Sequence, residues 1–151
     1  KNKISTETLT TLQDSLKNIE YIIVDECSMM GQRLLFKFDQ RLREICANDL
    51  PFGGKSIIFV GHFAQLPPVL DTPMWMKPPI DANDIKRQGY ALYKQFTKIV
   101  NLEKIHRQDD EKYLDLLRDI CEGEISLDDW NLLKTRDPDF YPRDSRRCQL
   151  Q

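Results

Sequence analysis

The sequence lacks several features that would assign it at once to a class of protein. Its 151 residues include no Cys-x-x-Cys pair and only two histidines, which argues against a structural zinc site. Lysine and arginine total 22 and aspartate and glutamate 24, so the net charge of −2 excludes a basic nucleic-acid arm and an acidic disordered tail. No apolar run approaches the ~18 residues of a membrane-spanning helix. A composition that is 40% hydrophobic and 9% aromatic is typical of a globular domain.

A phosphate-binding loop is also missing. Such a loop has the pattern GxxxxGK[ST] and lies between a strand and a helix. The GK[ST] match in this chain is Gly54-Lys55-Ser56, but Asp49 occupies the position of the first glycine, and a strand is predicted to follow. We therefore interpret this match as coincidental.

The hydrophobic pattern predicts helices alternating with strands. Helices are predicted over residues 7–19, 31–47, 82–96, 110–121 and 127–136. Buried strands are predicted over residues 21–24, 56–60 and 98–102. The first two strands and the helix between them form a βαβ unit, whose strands run parallel in one sheet. Five prolines over residues 66–79 exclude a regular helix or a central strand there.

Individual residues mark weak points and ends of these helices. Gly89 weakens the helix predicted over 82–96, because glycine is a poor helix former. Gly123 suits the carboxyl end of the helix over 110–121. Ser126 followed by Asp129 resembles a capping box, which predicts that the next helix begins there.

The strongest local feature is Asp25-Glu26, directly after the first strand. In an open α/β sheet, ligands bind beyond the carboxyl ends of the strands. A nucleoside triphosphate enzyme needs one carboxylate to hold Mg²⁺ and a second group to position water beside the γ-phosphate. The alternative is that both acids merely favour the amino terminus of the following helix.

Gln65 follows the second strand, in the segment Gly61-His62-Phe63-Ala64-Gln65-Leu66-Pro67-Pro68. Parallel strands deliver their following residues to the same edge of the sheet, so Gln65 is expected close to Asp25 and Glu26. Its amide can hydrogen-bond a γ-phosphate oxygen or a water. It can equally satisfy backbone groups before the prolines.

Arg107 lies just past the third predicted strand, in Ile105-His106-Arg107-Gln108. An arginine in a loop can stabilise the charge that develops on a transferring phosphoryl group. It can also form a surface ion pair with Asp109 or Asp110, and the sequence alone favours that simpler role.

Five segments occur together in a recognisable order. They are Tyr-Ile-Ile-Val-Asp-Glu-Cys-Ser-Met-Met (21–30), Asp-Gln-Arg-Leu-Arg (39–43), Pro-Phe-Gly-Gly (51–54), Gly-His-Phe-Ala-Gln-Leu-Pro-Pro-Val (61–69) and Leu-Glu-Lys-Ile-His-Arg-Gln (102–108). Together they resemble the PIF-type (petite integration frequency) ATP-dependent DNA helicases of superfamily one, and the Helitron transposon helicases look similar. The resemblance covers about residues 7–136.

The resemblance implies an α/β fold: the RecA-like parallel sheet of P-loop NTPases, flanked by helices. The sheet would be incomplete, because the strand that carries the phosphate loop is absent. Residues 1–103 would be the latter part of the first RecA-like domain, and 104–151 the hinge and the start of the second. Part of the sheet would then be exposed, since a parallel sheet is normally covered on both faces.

The resemblance also implies ATP and Mg²⁺ as cofactors. Asp25 would hold the metal and Glu26 would activate the attacking water. Gln65 would sense the γ-phosphate, and Arg107 would contact it from the side between the domains. Phe63 and the proline-rich loop would couple the state of ATP to DNA.

The whole protein would be a monomeric motor that moves 5′ to 3′ on single-stranded DNA and unwinds duplex DNA. Its roles by resemblance would be DNA repair, recombination and telomere maintenance, in the nucleus or the mitochondrion, without a membrane partner. The chain by itself would be inactive. The alternative is a truncated, transposon-derived remnant that binds DNA or protein without catalysis.

Two residues depart from the family pattern. Cys27 stands where the family often has an aliphatic residue, a mild change because cysteine packs as a small hydrophobe. His62 stands where the family has Asp in Gly-Asp-Phe, which changes the charge beside the expected phosphate position.

Overall fold

The computed structural model describes residues 5–106 and 108–135, which contain five α-helices and two strands. In chain order these are α1 (Thr6–Leu16), β1 (Tyr21–Val24), α2 (Gln32–Cys46), β2 (Ser56–Phe59), α3 (Asp84–Tyr93), α4 (Glu111–Glu122) and α5 (Leu127–Lys134), with short 3-10 helices at Cys27–Met29 and Pro51–Gly54. The five predicted helices and the first two predicted strands are confirmed, with small differences at their ends. The proline-rich stretch forms neither a helix nor a strand, as predicted.

The two strands form a parallel pair. Tyr21 lies opposite Ser56, and Val24 lies opposite Phe59. Because α2 connects the strands, the predicted βαβ unit is confirmed. Their carboxyl ends therefore lie side by side, which is what brings the candidate site together.

The core lies against α2, whose apolar residues recur at helical spacing. The buried cluster consists of Cys27, Leu35, Leu42, Phe52, Met74 and Leu92. Phe52 and Phe96 add an edge-to-face ring contact with centroids 5.9 Å apart. Cys27 belongs to this cluster, so its predicted role as a small hydrophobe is confirmed.

Two of the sequence motifs have structural roles. Asp39 is buried and accepts hydrogen bonds from the Phe52 backbone N–H at 2.6 Å and from Arg43 Nε at 2.8 Å. It thereby fixes the turn between α2 and β2. Lys55 Nζ donates to the carbonyl of Leu16 at 3.0 Å, which ties the GK[ST] segment to the end of α1.

The third predicted strand, over residues 98–102, is wrong. That segment carries no strand, and Ile99, Val100 and Leu102 are 86%, 84% and 89% exposed. A strand needs a neighbour to pair its backbone N–H and C=O groups. No neighbouring strand pairs with this segment within the described residues.

The first two strands are not buried on both faces, as a covered parallel sheet would be. Tyr21, Ile23 and Ile58 are 63%, 66% and 44% exposed on one face, whereas Ile22 and Ile57 on the other are partly buried against the core. The prediction of fully buried strands is therefore wrong for one face. The expectation that part of the sheet is exposed is confirmed.

We expect this segment, expressed alone, to aggregate or to bind a hydrophobic dye. The exposed strand face offers apolar surface and β-structure to a second molecule. Light scattering against protein concentration, with fluorescence of the dye ANS, measures this directly. A reversible two-state melt of a monomer would contradict it.

The chain divides into two compact units between Ile99 and Val100. In the second unit, Gly123 ends α4 with a φ of 77°, and Ser126 and Asp129 form the predicted capping box. Hydrogen bonds from Ser126 hold the pKa of the Asp129 carboxyl below its ordinary value. The assignment of residues 1–103 and 104–151 to two helicase domains stays a prediction. No helix in the described part of the chain is long and apolar enough to cross a membrane.

Candidate functional site

The carboxyl ends of β1 and β2 are joined by backbone hydrogen bonds that continue past the strands. The Val60 N–H donates to the Val24 carbonyl at 2.9 Å, and the Cys27 N–H donates to the Val60 carbonyl at 3.0 Å. Gly61 permits this approach, because a Cβ there would lie 2.9 Å from the Cys27 nitrogen. The residues after the two strands are thus held together, as the sequence predicts.

Asp25 and Glu26 form a tight turn directly after β1. Glu26 has φ 52° and ψ 40°, a left-handed conformation that is unfavourable for residues other than glycine. Its N–H donates to Asp25 Oδ1 at 2.8 Å. Strained backbone of this kind concentrates at functional sites, where surrounding structure holds it in place.

A cleft of about 540 Å³ lies beside this turn. Its lining residues are Glu26, Ser28, Met29, Ala64, Gln65, Leu66 and Pro67. Two predicted site residues, Glu26 and Gln65, therefore share one cleft. Asp25 is exposed beside it but is not among the lining residues. Arg107 lies outside the described residues, so its role stays a prediction.

The loop that carries Gln65 begins with a turn at His62. The Gln65 N–H donates to the His62 carbonyl at 3.0 Å, while the His62 side chain is exposed. Phe63 packs against Trp75 with ring centroids 4.4 Å apart and the ring planes tilted by 41°. The residue that departs from the family pattern therefore forms the turn that presents Gln65.

The far end of the same loop is fastened to the amino terminus of α2. Asp71 Oδ2 accepts the Arg33 backbone N–H at 2.9 Å, and Asp71 Oδ1 forms an ion pair with Arg33 Nε at 3.2 Å. Gly31 is the N-cap of α2 and has no side chain to cap it, so Asp71 supplies the missing acceptor. Gln32 adds hydrogen bonds from Nε2 to the carbonyls of Pro73 at 3.2 Å and Met76 at 2.5 Å.

Sequence reasoning missed Asp71 and Gln32 as anchors of this loop. A signal for Asp71 was present, since a helix that begins at a glycine needs a capping acceptor from elsewhere. The sequence does not say which of the many acids supplies it. For Gln32 we find no signal in the sequence.

Burial raises the pKa of the Cys27 thiol, and the charges of Asp25 and Glu26 raise it further. The backbone hydrogen bond at Cys27 opposes this rise in part. A neutral, buried thiol is a poor nucleophile. Cys27 is therefore a packing residue beneath the site.

The residues after β1 fit one mode of metal binding. In residues 5–106 and 108–135, no three His, Cys, Asp or Glu side chains are grouped as metal ligands. Mg²⁺ is usually held by one or two carboxylates together with waters and substrate phosphates. The exposed carboxylate of Asp25 suits that mode, in which the nucleotide itself completes the coordination.

Parallel strands joined by a helix, with acidic and amide side chains past their carboxyl ends, are the arrangement of a ligand-binding edge in an α/β sheet. The family model described as PIF1-like helicase matches residues 1–130. This chain belongs to the PIF1-like helicase family, and the predicted resemblance is confirmed.

Named relatives agree with this assignment. The chain is 36% identical over 110 residues to the ATP-dependent DNA helicase RRM3 of Saccharomyces cerevisiae, covering 71% of this chain and 14% of that protein. It is 39% identical over 111 residues to the ATP-dependent DNA helicase PIF1 of the same species, covering 72% and 12%. The chain therefore spans less than a fifth of either relative.

Solved structures give the same answer. A Bacteroides Pif1 bound to single-stranded DNA matches with a TM-score of 0.61 and 26% identity, covering 89% of this chain and 31% of that one. A Bacteroides Pif1 in complex with ADP-AlF3 and single-stranded DNA matches with a TM-score of 0.60 and 27% identity, covering 88% and 30%. The predicted α/β RecA-like fold class is thus confirmed.

Proposed function

We propose that this chain is a segment of an ATP-dependent DNA helicase that couples ATP hydrolysis to DNA unwinding. The observation that carries the proposal is the cleft shared by Glu26 and Gln65 at the carboxyl edge of two parallel strands. A carboxylate and a neutral amide facing one cleft suit water activation and γ-phosphate sensing. Family membership makes a nucleotide the expected occupant.

Four residues have distinct roles in this proposal. Asp25 would hold Mg²⁺, which would neutralise phosphate charge, and Glu26 would accept a proton from the attacking water. Gln65 donates a hydrogen bond to a γ-phosphate oxygen. Arg107 would contact the γ-phosphate from the side between the domains and stabilise charge in the transition state.

The partner of the motor in this proposal is DNA, both single-stranded and duplex. The structural relatives include a Pif1 bound to single-stranded DNA and two coordinating Pif1 helicases on forked duplex DNA. We further propose a monomeric motor that moves 5′ to 3′ and serves repair, recombination and telomere maintenance in the nucleus or mitochondrion. These finer assignments rest on the family resemblance alone.

The test is Mg²⁺-dependent ATP hydrolysis by a longer chain that carries this segment with an upstream phosphate-binding loop, called here the complete chain. We expect turnover that single-stranded DNA stimulates, and none from the segment alone. A folded complete chain that binds ATP without turnover would instead support a non-catalytic remnant. Binding of DNA without nucleotide binding would support that alternative as well.

A change of His62 to Asp in the complete chain is expected to raise DNA-stimulated kcat by about tenfold, equivalent to ~1.4 kcal/mol in the barrier. The substitution adds a third carboxylate, after Asp25 and Glu26, to the residues that follow the two strands, where a hydrated Mg²⁺ prefers oxygen ligands. Steady-state ATPase at saturating DNA measures the effect.

Asn18→Asp is the matched control for this change. It adds the same negative charge before β1, at the opposite end of the strand, and should leave kcat unchanged. An unchanged or lower kcat in His62→Asp would show that the histidine is suited to this site.

A further inference from the structure

Ser28 is a polar side chain buried beside the candidate site without a partner. The residue is 1% exposed and lines the same cleft as Glu26 and Gln65. Its Oγ makes no hydrogen bond within the part of the chain that the structure describes. A buried hydroxyl without a partner is costly and therefore rare in native proteins, and a role in catalysis is one of the reasons for which it is kept. An alanine would fill the same space without that cost.

The side-chain amide of Gln65 needs a hydrogen-bond donor from the protein to fix its orientation. Its NH₂ and C=O ends have nearly the same shape, so only hydrogen bonds decide which end faces a ligand. A γ-phosphate oxygen is an acceptor, so Gln65 must present its NH₂ group to it. The Oε1 end then needs a donor from the protein. Ser28 lines the same cleft, and its O–H donor, which is closed to solvent, has no partner in the described part of the chain.

The burial of Ser28 favours this pairing over a direct contact with nucleotide. Its Oγ is closed to solvent, so a partner has to come from the cleft wall and pack against it. Glu26 also lines the cleft, but a donor on its carboxylate would stabilise the charged form and weaken it as a base. Gln65 has no such conflict.

We propose that Ser28 is a positioning residue whose hydroxyl donates to Gln65 Oε1 when nucleotide is bound, so that the Gln65 amide faces the γ-phosphate with its NH₂ group. This inference rests on the proposed function. It assigns to Ser28 the selection of one of the two amide orientations. An unpaired hydroxyl is the cost of keeping that donor ready.

The test is a double-mutant cycle in the complete chain with Ser28→Ala, Gln65→Ala and the double variant. Ser28→Ala should lower DNA-stimulated kcat about tenfold, the effect of losing one oriented hydrogen bond, with KM for ATP little changed. In the Gln65→Ala background the same change should have no further effect. The melting temperature should stay the same or rise, because an unpaired buried hydroxyl is removed.

A purely structural Ser28 would give a lower melting temperature and equal losses of kcat in both backgrounds, and either result overturns the inference. Unchanged kcat in Ser28→Ala overturns it too. Ser15→Ala on exposed α1 is the control and should match the unmodified chain. Wild-type turnover that Glu26→Gln abolishes would show that the proposed function holds even where the Ser28 inference fails. Absence of turnover in the wild-type complete chain would remove both.

Discussion

Replacing Glu26 by Gln in the complete chain is expected to lower DNA-stimulated ATP hydrolysis by about 10²–10⁴-fold, the usual contribution of a general base. Gln keeps the size and hydrogen-bonding reach of Glu but cannot accept the proton of the attacking water. Glu26 is exposed at the cleft that Gln65 also lines, so the loss should fall on the chemical step. The measurement is kcat at saturating ATP and single-stranded DNA.

Glu20→Gln is the matched control for this substitution. Glu20 is an exposed residue just before β1, outside the cleft, and the same loss of charge there should leave kcat unchanged. Binding of ATP should survive in Glu26→Gln, because the proposed metal and phosphate contacts come from other residues. Turnover within a factor of about ten of wild type would show that the base is a different group.

Local sequence patterns were sufficient to predict the elements whose hydrogen-bonding partners are themselves part of the predicted pattern. The β-branched runs at 21–24 and 56–60 predicted a parallel pair because the helical segment between them allows no hairpin. The Ser126–Asp129 capping box formed as predicted because both hydrogen bonds connect residues three apart in sequence. The formation of the strand pair and of the capping box depends little on residues elsewhere in the chain.

The third predicted strand failed for the opposite reason. Residues 98–102 have the composition of a strand, but a strand exists only where a neighbour pairs with it. The composition of residues 98–102 cannot show whether another strand is available to pair with them. The local pattern missed the exposure of Tyr21 and Ile23 for the same reason. The sequence of a strand does not show which other element, if any, covers each face of its sheet.

The candidate site was predictable to the extent that strand order determines it. Asp25, Glu26 and Gln65 follow strands that are parallel, so their proximity follows from topology. The anchoring by Asp71 joins residues 38 apart in sequence and depends on the path of the proline-rich loop. The buried hydroxyl of Ser28 depends on side-chain packing, for which the sequence carries no pattern.

At Gly89 the structure reverses the effect on stability that helix propensity predicts for a change to alanine. Glycine inside a helix costs about 1 kcal/mol relative to alanine, so the sequence suggests that Gly89→Ala would stabilise α3. In the structure Gly89 is buried where α3 meets the first residue of α2. A Cβ at Gly89 would lie 2.0 Å from the carbonyl oxygen of Gln32 and 2.7 Å from its carbonyl carbon. Both are backbone atoms, so no side-chain rotation can relieve the overlap.

We therefore expect Gly89→Ala to destabilise the complete chain by about 3 kcal/mol, at the upper end of the range for overpacked sites. The apparent melting temperature of the transition that includes this domain should fall by roughly 10 °C. Gln32 also holds Pro73 and Met76, so displacing α3 from α2 should disturb the anchor of the Gln65 loop and lower ATP turnover. Thermal unfolding followed by intrinsic fluorescence gives the first value and steady-state ATPase the second.

Gln88→Ala is the control that separates the effect of the overlap at Gly89 from the effect of helix propensity. Gln88 neighbours Gly89 on α3 but is exposed, and glutamine and alanine are both good helix formers, so its melting temperature should hardly move. Stabilisation by Gly89→Ala would mean that α3 can withdraw from Gln32 at little cost. In that case the contact between α2 and α3 would not be what positions the Gln65 loop, and the hydrogen bonds of Asp71 and Gln32 to the start of α2 and to the loop would be enough to hold it.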